Sequence, residues 1–330
     1  MDQRQWRQAG EARSVIDAGA TSMLRRHGLL AIGVGFKTKD GVTTDEVSVK
    51  AFVPRKLPVE RIAPERLLPK AIDVAGARVL TDVEEMHPPT APALLDDTFV
   101  AAAAFGMGSR WRQRPISGGD SVSRFPGALG TIGAIVRDRF SGRPLILSCN
   151  HVLAALNWAR AGDPVVQPAA GDGGTPFYDR CGALLRWVPL SFGAWGLNRV
   201  DAAVAAAETS SLPWIDFIGL PSGVRSGNSL PPAAPVFKVG RTTRLTSAAV
   251  AAVHVTGWIT YSFQPFASAF FTEQIITTGA AGFGDSGSLL FDADRNAVGL
   301  LFSGSPTHTF YNDIVNVENE LGIALTTLTA

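Results

Sequence analysis

A serine hydroxyl is a weak nucleophile at neutral pH unless a base takes its proton and an acid holds that base in the right tautomer. Residues 282–291, GFGDSGSLLF, place Ser286 between Asp285 and Gly287 at the mouth of an apolar strand. A tight turn accounts for the glycines but not for the serine and the aspartate. Five histidines are available as a base. His27 ends a helical pattern, His87 lies in a Pro-rich stretch, His254 in an alternating strand and His308 in the loop SPTHTF. His151 differs: it follows the apolar strand PLILSCN and opens HVLAAL, so a helical turn can hold it rigidly at a strand end. Asp201, in NRVDAAVAAA, is an acid on the threshold of another apolar strand, where a charge is costly without a partner. Each of the three has a bland explanation alone: a strand terminator, a strand-start turn, a tight bend. Together they form a base, its orienting acid and a nucleophile. A glycine at Gly284 would let the chain turn inward, so that the N–H groups of Gly284 and Ser286 could aim at one developing oxyanion.

The elements around these residues read as β-structure from about residue 127 onward. Short apolar runs (GTIGAIVRD, PLILSCN, DPVVQP, CGALLRWV, VDAAVAAAE) are separated by Gly, Pro, Asp and Asn. A Pro/Gly/Ser-rich bridge at 209–235 divides them from a second set: PVFKVGRTT, SAAVAAVHVTGWITY, FFTEQIITTG, GSLLFD and AVGLLFSGS. The expectation is mainly β, with two β-barrels spanning 121–210 and 211–330. The second ends in a helix through Ile314, Val317 and Leu321, with Asn312 as its cap. Residues 1–85 read as a small α+β unit: a helix over 12–27 carrying Ala12, Val15, Ile16, Ala20 and Met23, then two strands joined by DGVTTD, then one short helical turn at 64–68. Residues 86–120, with no sustained period, read as a linker.

Composition narrows the function. The chain has 330 residues, is 46% hydrophobic and carries a net charge of +1, which offers no field for nucleic acid or an anionic membrane. Its start lacks the apolar stretch of a secretory signal, and no apolar run could span a bilayer. Two cysteines, Cys149 and Cys181, make no disulfide framework, so a reducing, cytoplasmic setting is the simplest reading. Cys149, two residues before His151, reads as a thiol–histidine pair, as part of a metal site or, more simply, as a small buried strand residue. No Cys-x-x-Cys or His-x-x-x-His spacing supports zinc, so no metal and no cofactor are expected.

The order His, Asp, Ser on two β-barrels, with GDSGS before a strand, resembles the chymotrypsin-fold (trypsin-like) serine proteases over roughly residues 127–330. The finer pattern is similar to a cytosolic bacterial branch related to the plant NARROW LEAF 1 protease. It rests on GTIGAIVRD, LSCNHVLA, VDAAVA, VFKVGRTTRLT, GDSGSLLF and AVGLLFSGS, with GVGFK…VSVKAFVPRKLP…TDVEE in the leader unit. The resemblance implies a serine endopeptidase acting on protein or peptide through His151 as general base, Asp201 as its acid and Ser286 as nucleophile, with the oxyanion hole at Gly284 and Ser286. It implies that Phe302, Ser303 and Gly304 lie against the substrate backbone and that Ala280 floors the primary specificity pocket. An alanine floor and Gly304 on the wall imply preference for a small to medium, uncharged side chain, unless Glu273 or Asp292 is brought in. A histidine base implies activity rising through roughly pH 6–8.

The departures are as informative. Val152 follows His151 where the secreted family has a cysteine. No activation segment precedes GALGTIGAIV, so Asp285 needs some partner other than a newly cut amino terminus, or none. The N-terminal unit reads either as a built-in inhibitor or gate, with the linker 87–120 laid near the cleft, or as a stability or partner-docking module. The competing functions are a non-catalytic peptide-binding scaffold on the same barrels and an acyl-hydrolase on another fold. The second lacks its Gly-x-Ser-x-Gly elbow here.

Overall fold

The computed structural model describes residues 1–74, 76–91, 110–127, 129–193, 196–262, 267–279 and 281–328. The first element, helix Gln3–His27, begins earlier than its apolar spacing suggests. Asp2 and Gln5 form a reciprocal capping box, and Gly28 ends the helix at φ 65°. Ala12, Val15, Ile16, Ala20 and Leu24 are its buried stripe; Leu24 takes the place expected for Met23. The stripe lies on a hairpin of strands Ala31–Lys39 and Val42–Val53. Only Asp40 and Gly41, both at positive φ, form the turn. Two left-handed residues are what a two-residue hairpin turn matched to strand twist demands. The rest of DGVTTD is therefore strand, and the short helical turn narrows to Pro64–Arg66.

Strand Ala31–Lys39 also pairs antiparallel with Arg244–Tyr261, Ala31 opposite Gly257 and Val34 opposite Val253. The N-terminal strands thus extend the sheet of the C-terminal half, and 13 strands run in it among the described residues. An eight-stranded sheet carries the middle of the chain, with Pro144–Ser148 between Ala134–Asp138 and Ala203–Ala207. The architecture is mainly β with a C-terminal helix, Ile314–Leu321. That helix is capped by Asp313, whose carboxylate accepts from the Val315 N–H, and not by Asn312. After it, Ile323–Leu325 returns to pair with Ala134–Asp138, tying the last residues to the first sheet. One apolar core, including Ile132, Leu147, Val204, Leu289 and Phe302, runs between the two sheets.

The N-terminal strands are pinned to the second sheet by charge as well. Glu84 lies 2.8 Å from His308 Nε2 and 2.5 Å from Lys50 Nζ, and Lys50 is almost fully buried. His308, expected in a loop, opens strand His308–Asp313 because Ser305 closes the preceding turn with its backbone N–H on the His308 carbonyl. Burial alone would raise the Glu84 carboxyl, but hydrogen bonds and charge from His308 and Lys50 outweigh it and hold it at about 2. A carboxylate depressed by folding stabilises above its unfolded value near 4.5, and the gain is lost as pH falls toward 2. At pH 7 this amounts to at most ~3 kcal/mol. Glu84→Gln should therefore be less stable than the parent at neutral pH, with the difference closing between pH 4.5 and 2. Urea midpoints measured across that range check it; a pH-independent difference would be the wrong result.

Candidate active site

Strand pairing brings the first two residues together. Pro144–Ser148 and Ala203–Ala207 are neighbours, with Ser148 opposite Ala203. Residues just after one strand and just before the other must therefore meet, and these are His151 and Asp201. His151 sits on the single helical turn Asn150–Leu153. The Asn150 amide donates to Asn157 Oδ1 and to the Val188 carbonyl, both at 2.8 Å, and the Asn157 amide donates to the Leu190 carbonyl at 2.8 Å. Ala155, Leu156 and Asn157 take φ of 48°, 56° and 76°. Such a left-handed run cannot continue a right-handed helix, so the turn ends there.

Asp201 grips the histidine twice. His151 Nδ1 is 2.7 Å from Oδ2, and the His151 backbone N–H donates to Oδ1 at 3.1 Å. The Tyr261 hydroxyl donates to Oδ2 at 2.8 Å. Burial, with the Asp201 charge, pushes the Tyr261 phenol well above its ordinary value, so it stays a donor. The Asp201 N–H donates to Asn312 Oδ1 at 2.9 Å, and the Asn312 amide donates to Gln274 Oε1 at 2.7 Å. Asn312 is therefore a second support of the acid. With Nδ1 engaged, His151 Nε2 is buried and has no hydrogen-bond partner among the described residues.

Ser286 comes from the other sheet. Its turn is built around Asp285, whose carboxylate accepts from the N–H groups of Gly282 (2.9 Å), Thr242 (2.8 Å) and Thr243 (3.1 Å) and from the Thr243 hydroxyl (2.6 Å). Lys238 Nζ lies 3.1 Å from it, both groups being buried. Lys238 is thus the partner that Asp285 requires. Burial raises Asp285, but the Lys238 charge and the hydrogen bonds prevail and hold it below the usual carboxylate range. Gly284 and Gly287 have φ of 94° and 97°. A Cβ on Gly287 would stand 2.3 Å from the Thr131 carbonyl, so only glycine fits there.

Contacts across the seam register the turn. The Thr131 N–H donates to the Ser286 carbonyl, and the Thr131 hydroxyl donates to the Gly284 carbonyl, both at 2.8 Å. The Leu301 carbonyl accepts from the Gly287 N–H at 2.8 Å and from Cys149 Sγ at 3.1 Å. The residue after Ser286 and the residue two before His151 thus share one acceptor. Ser286 makes no hydrogen bond to His151 Nε2. Neither the Gly284 nor the Ser286 N–H has an acceptor among the described residues.

Cys149 Sγ, a His151 ring nitrogen and an Asp201 oxygen lie within 4.8 Å of one another, a set that could hold a metal ion. The donors are engaged with one another and with the backbone: His151 Nδ1 is held by Asp201 and the Cys149 thiol by the Leu301 carbonyl. Burial and the Asp201 charge push the Cys149 thiol well above its ordinary value, and the thiol donates to the Leu301 carbonyl.

Of the residues set by resemblance against the substrate, Phe302 is buried on Phe271, ring centroids 4.8 Å apart. Ser303 Oγ is buried without a partner among the described residues. Gly304 has room beside it: an added Cβ would meet only the His308 carbonyl, at 3.5 Å. Ala280 lies outside the described residues. Glu273 pairs with Arg13 and His254, and Asp292 with Arg225 and the Asn296 turn. Tyr261, Lys238, Thr131 and the Asn150–Asn157 pair were not foreseen. Only Lys238 left a local trace, as a lysine inside the apolar strand Pro235–Gly240.

No family model matches the chain, and no curated protein matches it. Solved structures do. A Nocardiopsis protease (NAPase) is 19% identical with a TM-score of 0.45, the match covering 64% of this chain and 99% of that one. Thermobifida fusca Protease A is 16% identical with a TM-score of 0.45, covering 64% and 98%. Cellulomonas bogoriensis chymotrypsin is 16% identical with a TM-score of 0.43, covering 64% and 98%. At these identities the likeness concerns the fold alone. Among the described residues no helix is long and apolar enough to cross a membrane.

Proposed function

We propose that the protein is a serine endopeptidase of the chymotrypsin fold, allied to the bacterial branch that resembles the NARROW LEAF 1 protease. The observation that carries this is the state of His151. Its Nδ1 is clamped by a buried carboxylate and its Nε2 is buried and unsatisfied, while Cys149, two residues before it, shares the Leu301 carbonyl with Gly287, the residue after Ser286. A buried polar atom without a partner is costly and calls for an explanation; a proton to be taken from Ser286 supplies one.

In this mechanism Ser286 Oγ attacks the scissile carbonyl carbon as its proton passes to His151 Nε2. The carbonyl π electrons move to oxygen, which the free N–H groups of Gly284 and Ser286 receive. The C–N bond then breaks as His151 protonates the departing amine. Water, losing a proton to the same nitrogen, attacks the acyl-enzyme and regenerates Ser286. The pairings of Glu273 and Asp292 away from Gly304 support a preference for uncharged side chains beside the scissile bond.

The expected result with a fluorophosphonate probe is labelling of the parent chain and none of Ser286→Ala. Equal labelling of both, or of neither under conditions that expose the site, would favour the scaffold reading. A cleavage profile dominated by Arg or Lys would refute the specificity.

A further inference from the structure

Strand Asn296–Gly304 has two edges. Strand His308–Asp313 lines one of them from Gly299 to Gly304. The other pairs with Leu289–Asp292 as far as Leu300 and is met at Leu301 by the Gly287 N–H and the Ser288 carbonyl. Beyond Leu301 this second edge would be open, leading away from Ser286 past Phe302 and Ser303 to Gly304. It is not empty: Thr90 pairs antiparallel with Gly304. The same short strand, Thr90–Ala91, pairs on its other side with Thr260 and Tyr261, and Tyr261 is the residue that donates to Asp201. The Thr260 N–H donates to the Pro89 carbonyl and the Ser262 N–H to the Ala91 carbonyl.

The direction of the pairing is informative. An antiparallel strand entering at Gly304 runs back toward Leu301, and so toward Gly287 and Ser286. That is how an extended peptide would add to this edge for cleavage. The segment is also held upstream: the Met86 N–H bonds the Val53 carbonyl, and Glu84 is fixed to His308. Met86, Pro89 and Ala91 are buried, as are His151 and Ser286.

We propose that residues 86–91 are a tethered occupant of the protein's own substrate edge, an extended segment that competes with peptide substrates by strand addition. The proposal rests on the endopeptidase reading for what the edge is used for. Occupancy itself can be measured without catalysis.

The test uses the full chain with Ala91→Trp, whose side chain has no room at a fully buried site, and separately Thr90→Pro, which removes a strand N–H. The probe is a fluorescein-labelled hexapeptide of residues 86–91, Met-His-Pro-Pro-Thr-Ala. In a Ser286→Ala background both variants should bind it at least tenfold more tightly than the parent by anisotropy. With Ser286 present both should react with fluorophosphonate at least tenfold faster. Unchanged peptide affinity in folded variants overturns the proposal. Tighter peptide binding without labelling upholds occupancy and sinks the hydrolase reading instead. Should both variants unfold, hydrogen exchange on the unaltered chain decides. Millimolar unlabelled hexapeptide should speed exchange of the 86–91 amides, and unchanged protection overturns the proposal.

Discussion

Asp201→Asn should lower kcat on an uncharged peptide by roughly ten-thousand-fold while the chain stays folded. The carboxylate now accepts from His151 Nδ1, the His151 N–H and the Tyr261 hydroxyl. An asparagine oxygen can still accept from the tyrosine or the backbone, which preserves packing. Its NH₂, however, faces Nδ1 as a donor. The imidazole must then carry its proton on Nε2, where a base is needed, and it loses the negative charge that would steady the imidazolium. Tyr261→Phe tests the support rather than the acid. It removes one of three donors to Asp201 and should cost far less, on the order of the ~1.5–3 kcal/mol of a hydrogen bond to a charged group. Steady-state kinetics of the two variants, with ¹⁵N NMR of the imidazole to report the tautomer, check this. Activity of Asp201→Asn within tenfold of the parent would mean that His151 is not the base.

The three residues of the proposed triad were legible as candidates in the sequence because each sits where a local pattern changes. His151 ends an apolar strand, Asp201 begins one, and Ser286 stands among glycines that no regular element would use. What holds them was not legible. Tyr261 and Asn312 reach Asp201 from strands 60 and 111 residues away in sequence, and nothing near either residue marks it as a support. The same limit applies to architecture. Alternation identified Ala31–Lys39 and Val42–Val53 as strands, but partner choice depends on which edges the finished sheet leaves open. The N-terminal hairpin therefore read as a separate unit, although it pairs with Arg244–Tyr261. Thr90–Ala91 is too short to carry a period, so a strand paired with Gly304 and Tyr261 looked like linker. Caps were partly visible: of the adjacent Asn312 and Asp313, the helix uses the aspartate, because the Asn312 side chain is drawn into the Asp201 network.

Lys238→Met should cost roughly 3–5 kcal/mol of stability, since it leaves the Asp285 carboxylate charged and buried without its cation. Lys238 and Asp285 are 4% and 0% exposed at the side chain, so water cannot substitute. Burial depresses the Lys238 ammonium against the pull of Asp285. The gain lies in the turn that the pair organises. Asp285 gathers the N–H groups of Gly282, Thr242 and Thr243, and those of Gly284 and Ser286 have no acceptor among the described residues, as the proposed oxyanion hole requires. A lysine already present in the strand makes the turn independent of any newly cut amino terminus. On the proposal above, control falls to the edge beyond Leu301, where Thr90 pairs with Gly304. The variant should therefore lose fluorophosphonate reactivity as well as stability, whereas Lys238→Met combined with Asp285→Asn, which removes both charges, should recover most of the stability but not the reactivity. Urea midpoints and labelling rates of the single and double variants separate the two effects. A Lys238→Met chain as stable and as reactive as the parent would show that Asp285 is held by its hydrogen bonds alone.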